Sequence, residues 1–140
     1  MPEPDLAVAA IDRDGTDRFQ SLRREIGLAA FGMNVIRLAP RQRGRIHSHR
    51  EQEEVYVVLE GELTLVVEGE ERVLRADDVA RVGPGVRRQL VNAGASRLVL
   101  LALGGAGEHV GRDGEAWEDW SDTGPGRPPQ ETALPEDLPA

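Results

Sequence analysis

The chain has 140 residues, 39% of them hydrophobic, and a formal net charge of -8, a composition that predicts one domain with a single core. The acidity speaks against nucleic acid or an anionic membrane as a partner, and the lack of cysteine excludes disulfides, thiolate nucleophiles and thiolate metal ligands. Any metal must be held by nitrogen and oxygen, and since all 17 basic residues are arginine, a coding bias towards that residue is the simplest reading.

In chain order, "MPEPDLAVAA" has no basic segment and too short an apolar run for a signal peptide, so a cytoplasmic location is expected by default. Phe19, Leu22 and Ile26 fit one helical face, and Thr16 or Asp17 offers a cap, which predicts a short helix within an N-terminal segment of residues 1–29. "FGMNVIRLAP" reads as a strand stopped by Pro40. "EVYVVLEGELTLVVEGEERVLRADD" reads as three strands with turns at Glu60-Gly61 and Glu68-Gly69-Glu70. "DVARVGPGVRRQLVNAGASRLVLLAL" reads as three more, broken at Gly83-Pro84-Gly85 and Asn92-Ala93-Gly94. Its last run, "LVLLAL", has the length of a buried strand and falls far short of a membrane span.

Closely spaced strands without a long helical pattern between them predict an all-β antiparallel sandwich or barrel over residues 30–120. Trp117 and Trp120, three apart, form an apolar face that pins the end of this region back on the barrel. Residues 121–140, rich in proline, glycine and acid, are expected to be a flexible acidic tail.

The candidate site lies in "RIHSHREQEEVYVVLEGE", residues 45–62. Alternate side chains of a strand share a face, so His47 and His49 point one way together, with Arg45. Glu54 opens the next strand, and its parity puts Tyr56 on the same face. Two imidazoles and a carboxylate form a nitrogen-and-oxygen site for one divalent transition metal; iron, manganese, zinc, nickel and copper all suit such ligands. Glu51 and Glu53 lack that parity and read as solvated turn residues. Gln52 is a loop residue within reach of the site. His109, in a glycine-rich segment past the last strand, is either a loop residue or a fourth ligand that folds back. The arginines at 41, 43 and 45 read as a solvated loop, with Arg45 adding positive potential at the barrel mouth for an anionic ligand.

This spacing, His47-x-His49-x4-Glu54-x6-Gly61, resembles the first motif of the cupins, small proteins with a double-stranded β-helix or jelly-roll barrel. The family's leading glycine falls on Arg41. The second motif, G-x5-P-x-G-x2-H-x3-N, has its counterpart in "DDVARVGPGVRRQLVN", where Asp77 replaces the first glycine, Gly83 the proline, and Gly85 and Asn92 match. The resemblance covers roughly half the chain and is closest to small single-domain cupins of the cupin 2 conserved barrel type. It implies dioxygenase, isomerase or decarboxylase chemistry on a small anionic metabolite, or a non-catalytic small-molecule-binding role with a degenerate or empty metal site. It also implies a homodimer.

The family's fourth metal ligand, a histidine, is Arg88 in this chain. Arginine stays protonated and cannot ligate a metal. Two roles are open to it: gripping an anionic substrate beside the metal, or pairing with Glu54 in place of the metal. With Arg88, the residues expected to bind substrate are Arg45, Tyr56 and Asn92, although Tyr56 also suits a core position and Asn92 a turn.

Overall fold

The computed structural model describes residues 3–105 and 113–139. The chain forms two five-stranded antiparallel sheets that face each other in a jelly roll. The first sheet runs β1 (Phe19–Ser21), β2 (Gly32–Leu38), β9 (Leu98–Gly104), β4 (Glu54–Glu60), β7 (Val79–Val82). The second runs β10 (Gly114–Trp117), β3 (Ile46–His49), β8 (Arg88–Val91), β5 (Glu62–Val67), β6 (Glu70–Arg75). The all-β expectation holds, with β1 and β10 as short edge strands that the sequence pattern did not disclose.

Alternation along the strands fills the space between the sheets. Ile36, Leu38, Val58, Leu98 and Leu100 of the first sheet meet Leu63, Leu65 and Leu90 of the second in one cluster. At about 1.5–3 kcal/mol for each large apolar side chain taken out of water, this cluster is the main source of stability. A smaller cluster, Leu22 with Val35 and Val99, covers the outer face of β2 and β9.

Leu22 belongs to a one-turn helix, α1 (Leu22–Ile26), which starts later than the sequence suggested. Its cap is Ser21, whose side chain accepts from the Arg24 amide at 3.2 Å, rather than Thr16 or Asp17. Phe19 is not on the helix; pairing with Ile36 takes it into β1, where it stays 58% exposed.

The end of the chain, expected as a flexible acidic tail, makes defined contacts with the barrel. Both tryptophans pin the segment as anticipated, with the Arg87 guanidinium 5.4 Å from each ring. Trp117 Nε1 donates to the Gly124 carbonyl at 2.8 Å and Trp120 Nε1 to Gln89 at 3.1 Å. Beyond them the chain continues as a strap. Arg127 bridges Ala116, a 3-10 turn spans Pro129–Glu131, and Thr132 is buried. Arg45 Nε then donates to the Thr132 carbonyl and Arg43 Nε to the Glu136 carbonyl, both at 2.8 Å, while Arg41 reaches the Pro139 carbonyl. The arginines at 41, 43 and 45 thus form a ladder that holds the strap. The physical reason is that a proline-rich segment has little backbone freedom left to lose, so a few hydrogen bonds to its carbonyls hold it in place.

Two positions where the family motif has glycine keep a glycine-like backbone here. Arg41 has φ 73° and Asp77 has φ 76°. Each left-handed residue costs about 1–2 kcal/mol, least for aspartate. Amide bonds hold both: Arg41 N–H donates to the Asn92 carbonyl at 2.8 Å and Asp77 N–H to the Val58 carbonyl at 2.9 Å.

Gly61 and Gly85 separate two demands on a motif glycine. Their φ values are 81° and 77°, but a Cβ on Gly61 would lie 2.3 Å from the Arg97 carbonyl oxygen, whereas one on Gly85 would meet nothing within 4 Å. Gly85→Ala is expected to cost about 1 kcal/mol, and Gly61→Ala about 2–4 kcal/mol because overlap adds to backbone strain. Urea denaturation of the two variants checks the ranking; equal losses would contradict the close approach at Gly61.

Candidate metal centre

The site lies where the two sheets meet at one end of the barrel. β3 of the second sheet carries His47 and His49, and β4 of the first carries Glu54 and Tyr56. The turn between these strands is tied by Asp113, whose two carboxylate oxygens accept the amides of Glu51 and Gln52 at 3.0 and 3.1 Å. Strand parity therefore delivers both imidazoles and the carboxylate to one place, with ligand atoms within 4.8 Å of one another.

Each imidazole presents Nε2 to the same oxygen. His47 Nε2 lies 3.7 Å from Glu54 Oε1, and His49 Nε2 lies 3.8 Å from it. The rings meet edge to face, 5.4 Å between centroids. Behind His47, Nδ1 is 3.1 Å from the Arg45 carbonyl, which requires the proton on Nδ1 and leaves the Nε2 lone pair free. Behind His49, buried Nδ1 has no hydrogen-bond partner among the described residues, and the nearest acidic oxygen is Asp113 Oδ2 at 3.7 Å. An acceptor behind the ring, as at His47, is how metal-ligating histidines are oriented. Burial pushes the His49 imidazole below its ordinary pKa, against the opposing pull of Glu54, which favours the neutral form a ligand must have.

Arg88 stands opposite His47 on β8 and is fully buried. Its guanidinium is satisfied internally. Nη2 donates to Glu54 Oε1 at 2.8 Å, Nε to the Tyr56 hydroxyl at 3.1 Å and Nη1 to the Val86 carbonyl at 3.1 Å. The Tyr56 hydroxyl in turn donates to Glu54 Oε1. Burial alone would raise the Glu54 carboxyl, but His47, the Arg88 charge and the Tyr56 hydroxyl hold it far below the usual carboxylate range. Tyr56 moves the other way, pushed well above its ordinary value by burial and by the adjacent carboxylate.

The residues expected to bind substrate divide accordingly. Arg88 and Tyr56 join Glu54 in a triad in which each guanidinium nitrogen has a partner, and both side chains are fully buried. Asn92 is fully buried and structural. Its Nδ2 donates to the carbonyls of Leu38 and Ser96 at 2.9 Å, and its Oδ1 accepts the Gly94 amide at 3.0 Å. Arg45 remains at a cavity of about 190 Å³, which His47, Glu54 and Tyr56 also line. Glu53 pairs with Arg81 at 2.8 Å on the surface, as a turn residue should, and Gln52 packs beside Gly105. His109 lies outside the described residues. Sequence reasoning missed Asp113, which stands 59 residues from Glu54 and shows its purpose only once β10 is laid beside β3.

A family model described as Cupin domain matches residues 34–104, just over half of the chain. The chain belongs to the cupins. Solved structures agree. One described as a sugar phosphate isomerase from a cupin superfamily, from Silicibacter pomeroyi, is 28% identical with a TM-score of 0.64 over 72% of this cupin. The match spans 65% of the Silicibacter chain, less than two thirds of its length. A Cupin 2 conserved barrel domain protein from Salinispora arenicola is 26% identical with a TM-score of 0.60, covering 69% of this chain and 86% of that one. A cupin protein from Bacteroides fragilis, 22% identical with a TM-score of 0.65 over 74% of this chain and 86% of its own, speaks for the fold. No curated protein sequence matches this cupin. Among the described residues no helix is long and apolar enough to cross a membrane.

The donor set fits a divalent metal. Two imidazoles and a carboxylate are suitable ligands, and three protein ligands leave coordination positions for water or substrate. The Arg88 charge replaces the family's fourth ligand and neutralises Glu54. The triad makes the Tyr56 hydroxyl a structural group. Tyr56→Phe keeps the ring but leaves buried Arg88 Nε and Glu54 each short of a partner, and should cost about 1–3 kcal/mol in urea denaturation. An unchanged midpoint would contradict the triad.

Proposed function

We propose that this cupin is a metal-dependent enzyme acting on a small anionic metabolite, with His47, His49 and Glu54 holding one divalent transition metal. The observation that carries this reading is the convergence of both Nε2 atoms on Glu54 Oε1, with the Arg45 carbonyl behind the His47 ring. When bound, the metal supplies Lewis acidity to an oxygen of the ligand. The chain's own residues do the rest. Arg88 and Tyr56 keep Glu54 ionised and fixed, the Arg45 carbonyl sets the His47 orientation, Asp113 ties the turn between the two ligand strands, and the cavity beside His47 shields the ligand from bulk water. The sugar phosphate isomerase description of the Silicibacter structure supports a reaction on a small anion.

A second reading rests on one observation, the 2.8 Å contact between Arg88 and Glu54. A guanidinium already neutralising the carboxylate weakens its attraction for a cation, and favours a binding module without metal or turnover.

Elemental analysis of the tag-free protein decides between them. The metalloenzyme reading expects about one divalent metal per chain, lost in His47→Ala and in His49→Ala while both variants still melt cooperatively. A metal-poor wild type that Arg88→His converts into a metal-loaded protein would refute it and leave the binding module.

A further inference from the structure

The cavity beside the site has a chemical character of its own. Its walls are Ile36, Leu38, Leu90 and Ala102 from the barrel, with Pro129 and Leu134 contributed by the C-terminal strap. Its charged lining beyond His47 and Glu54 is Arg18 and Arg45. Neutral hydrogen-bonding side chains are scarce: among the described residues Asn34 lines the cavity, and the Tyr56 hydroxyl is occupied by Glu54 and Arg88.

This inventory discriminates between kinds of anion. A sugar phosphate carries several hydroxyls, and each one buried without a partner costs about 1–3 kcal/mol. Beyond the charged side chains, Asn34 alone among the described lining residues has a free neutral side-chain group to meet them. An apolar body, by contrast, gains from every contact with the leucine and isoleucine walls. The volume of about 190 Å³ also suits a compact ligand.

The two arginines retain capacity for an anion. Arg45 uses Nε on the Thr132 carbonyl at 2.8 Å, and Arg18 uses Nη1 on the Arg43 carbonyl at 2.7 Å. Their other guanidinium nitrogens make no hydrogen bond among the described residues. Both side chains line the same cavity, and a carboxylate accepts from a guanidinium fork.

We infer that the cavity takes a compact monocarboxylate with an apolar body, its carboxylate on Arg18 and Arg45 and its body against the barrel wall and Leu134 of the strap. The inference rests on the proposed reading in placing the ligand beside His47 and Glu54, and it narrows the anion to one class. It also makes the strap part of the binding site, and Leu134 a specificity residue.

Isothermal titration of the full-length, tag-free protein tests it with 3-methylbutanoate, its neutral amide, glucose 6-phosphate and inorganic phosphate, each before and after chelation. The carboxylate is expected to bind at least about tenfold tighter than the amide, glucose 6-phosphate or phosphate. Leu134→Asn, at a half-exposed position that folding tolerates, should weaken 3-methylbutanoate about tenfold and leave metal content unchanged. Arg45→Gln should weaken the carboxylate several-fold more than it weakens the amide, whose body shares the strap that Arg45 also holds. Glucose 6-phosphate or the amide binding as well as the carboxylate, no binding of the carboxylate, or an indifferent Leu134→Asn would each overturn the inference. Metal content is measured on the same samples. A metal-free protein that keeps the carboxylate preference sinks the metalloenzyme reading and leaves this one standing, whereas a metal-loaded protein without the preference does the reverse.

Discussion

A guanidinium buried in a protein core must be given counter-charge and acceptors, and the site of this cupin is organised by that requirement. Arg88 has no exposed surface, and its nitrogens end on Glu54, Tyr56 and Val86. Breaking such a pair from one side leaves a stranded charge and costs about 3–5 kcal/mol, far more than an exposed ion pair is worth. Glu54 is therefore not a floppy acid that happens to face two histidines. Its partners in the chain hold it fixed and ionised, and the imidazoles are arranged around its Oε1. The same pair limits the site, since the charge that steadies the carboxylate also neutralises it.

A second set of arginines works differently. Those at 41, 43 and 45 donate to backbone carbonyls of the strap, and the amide of Leu138 donates back to the Arg41 carbonyl at 2.8 Å. The bonds are partly exposed and individually modest, about 0.5–1.5 kcal/mol each. Together they carry Pro129 and Leu134 to the cavity and turn a run of low-complexity sequence into a wall of the site. Removing lysine from consideration matters here, because a guanidinium can bond the strap with Nε and keep its terminal nitrogens for a ligand.

Much of the centre was legible in the sequence because strand parity is a two-residue rule. His47 and His49 had to share a face, and Glu54 alone among the neighbouring acids had the matching position. An antiparallel sandwich or barrel followed from the spacing of glycine-rich turns, and the jelly roll from the resemblance to the cupin motifs. The fate of Arg88 was legible only as a choice between two roles, since charge and register do not say which oxygen a guanidinium will reach. Three features could not be read. The strap is held by main-chain carbonyls, which leave no residue signature. Asp113 reaches its partners across a strand pairing that the sequence does not advertise. Arg41 and Asp77 adopt glycine-like φ values because the surrounding hydrogen bonds outweigh a penalty that composition alone would take as prohibitive.

The claim on which the account turns is that Arg88 and Glu54 form one buried unit, and a double-mutant cycle measures it directly. Urea denaturation of Arg88→Met, Glu54→Gln and the double variant gives the coupling energy. The account expects each single change to cost about 3–5 kcal/mol and the double to cost little more than either, a coupling of at least about 2 kcal/mol. Single costs below about 1 kcal/mol that simply add would contradict it.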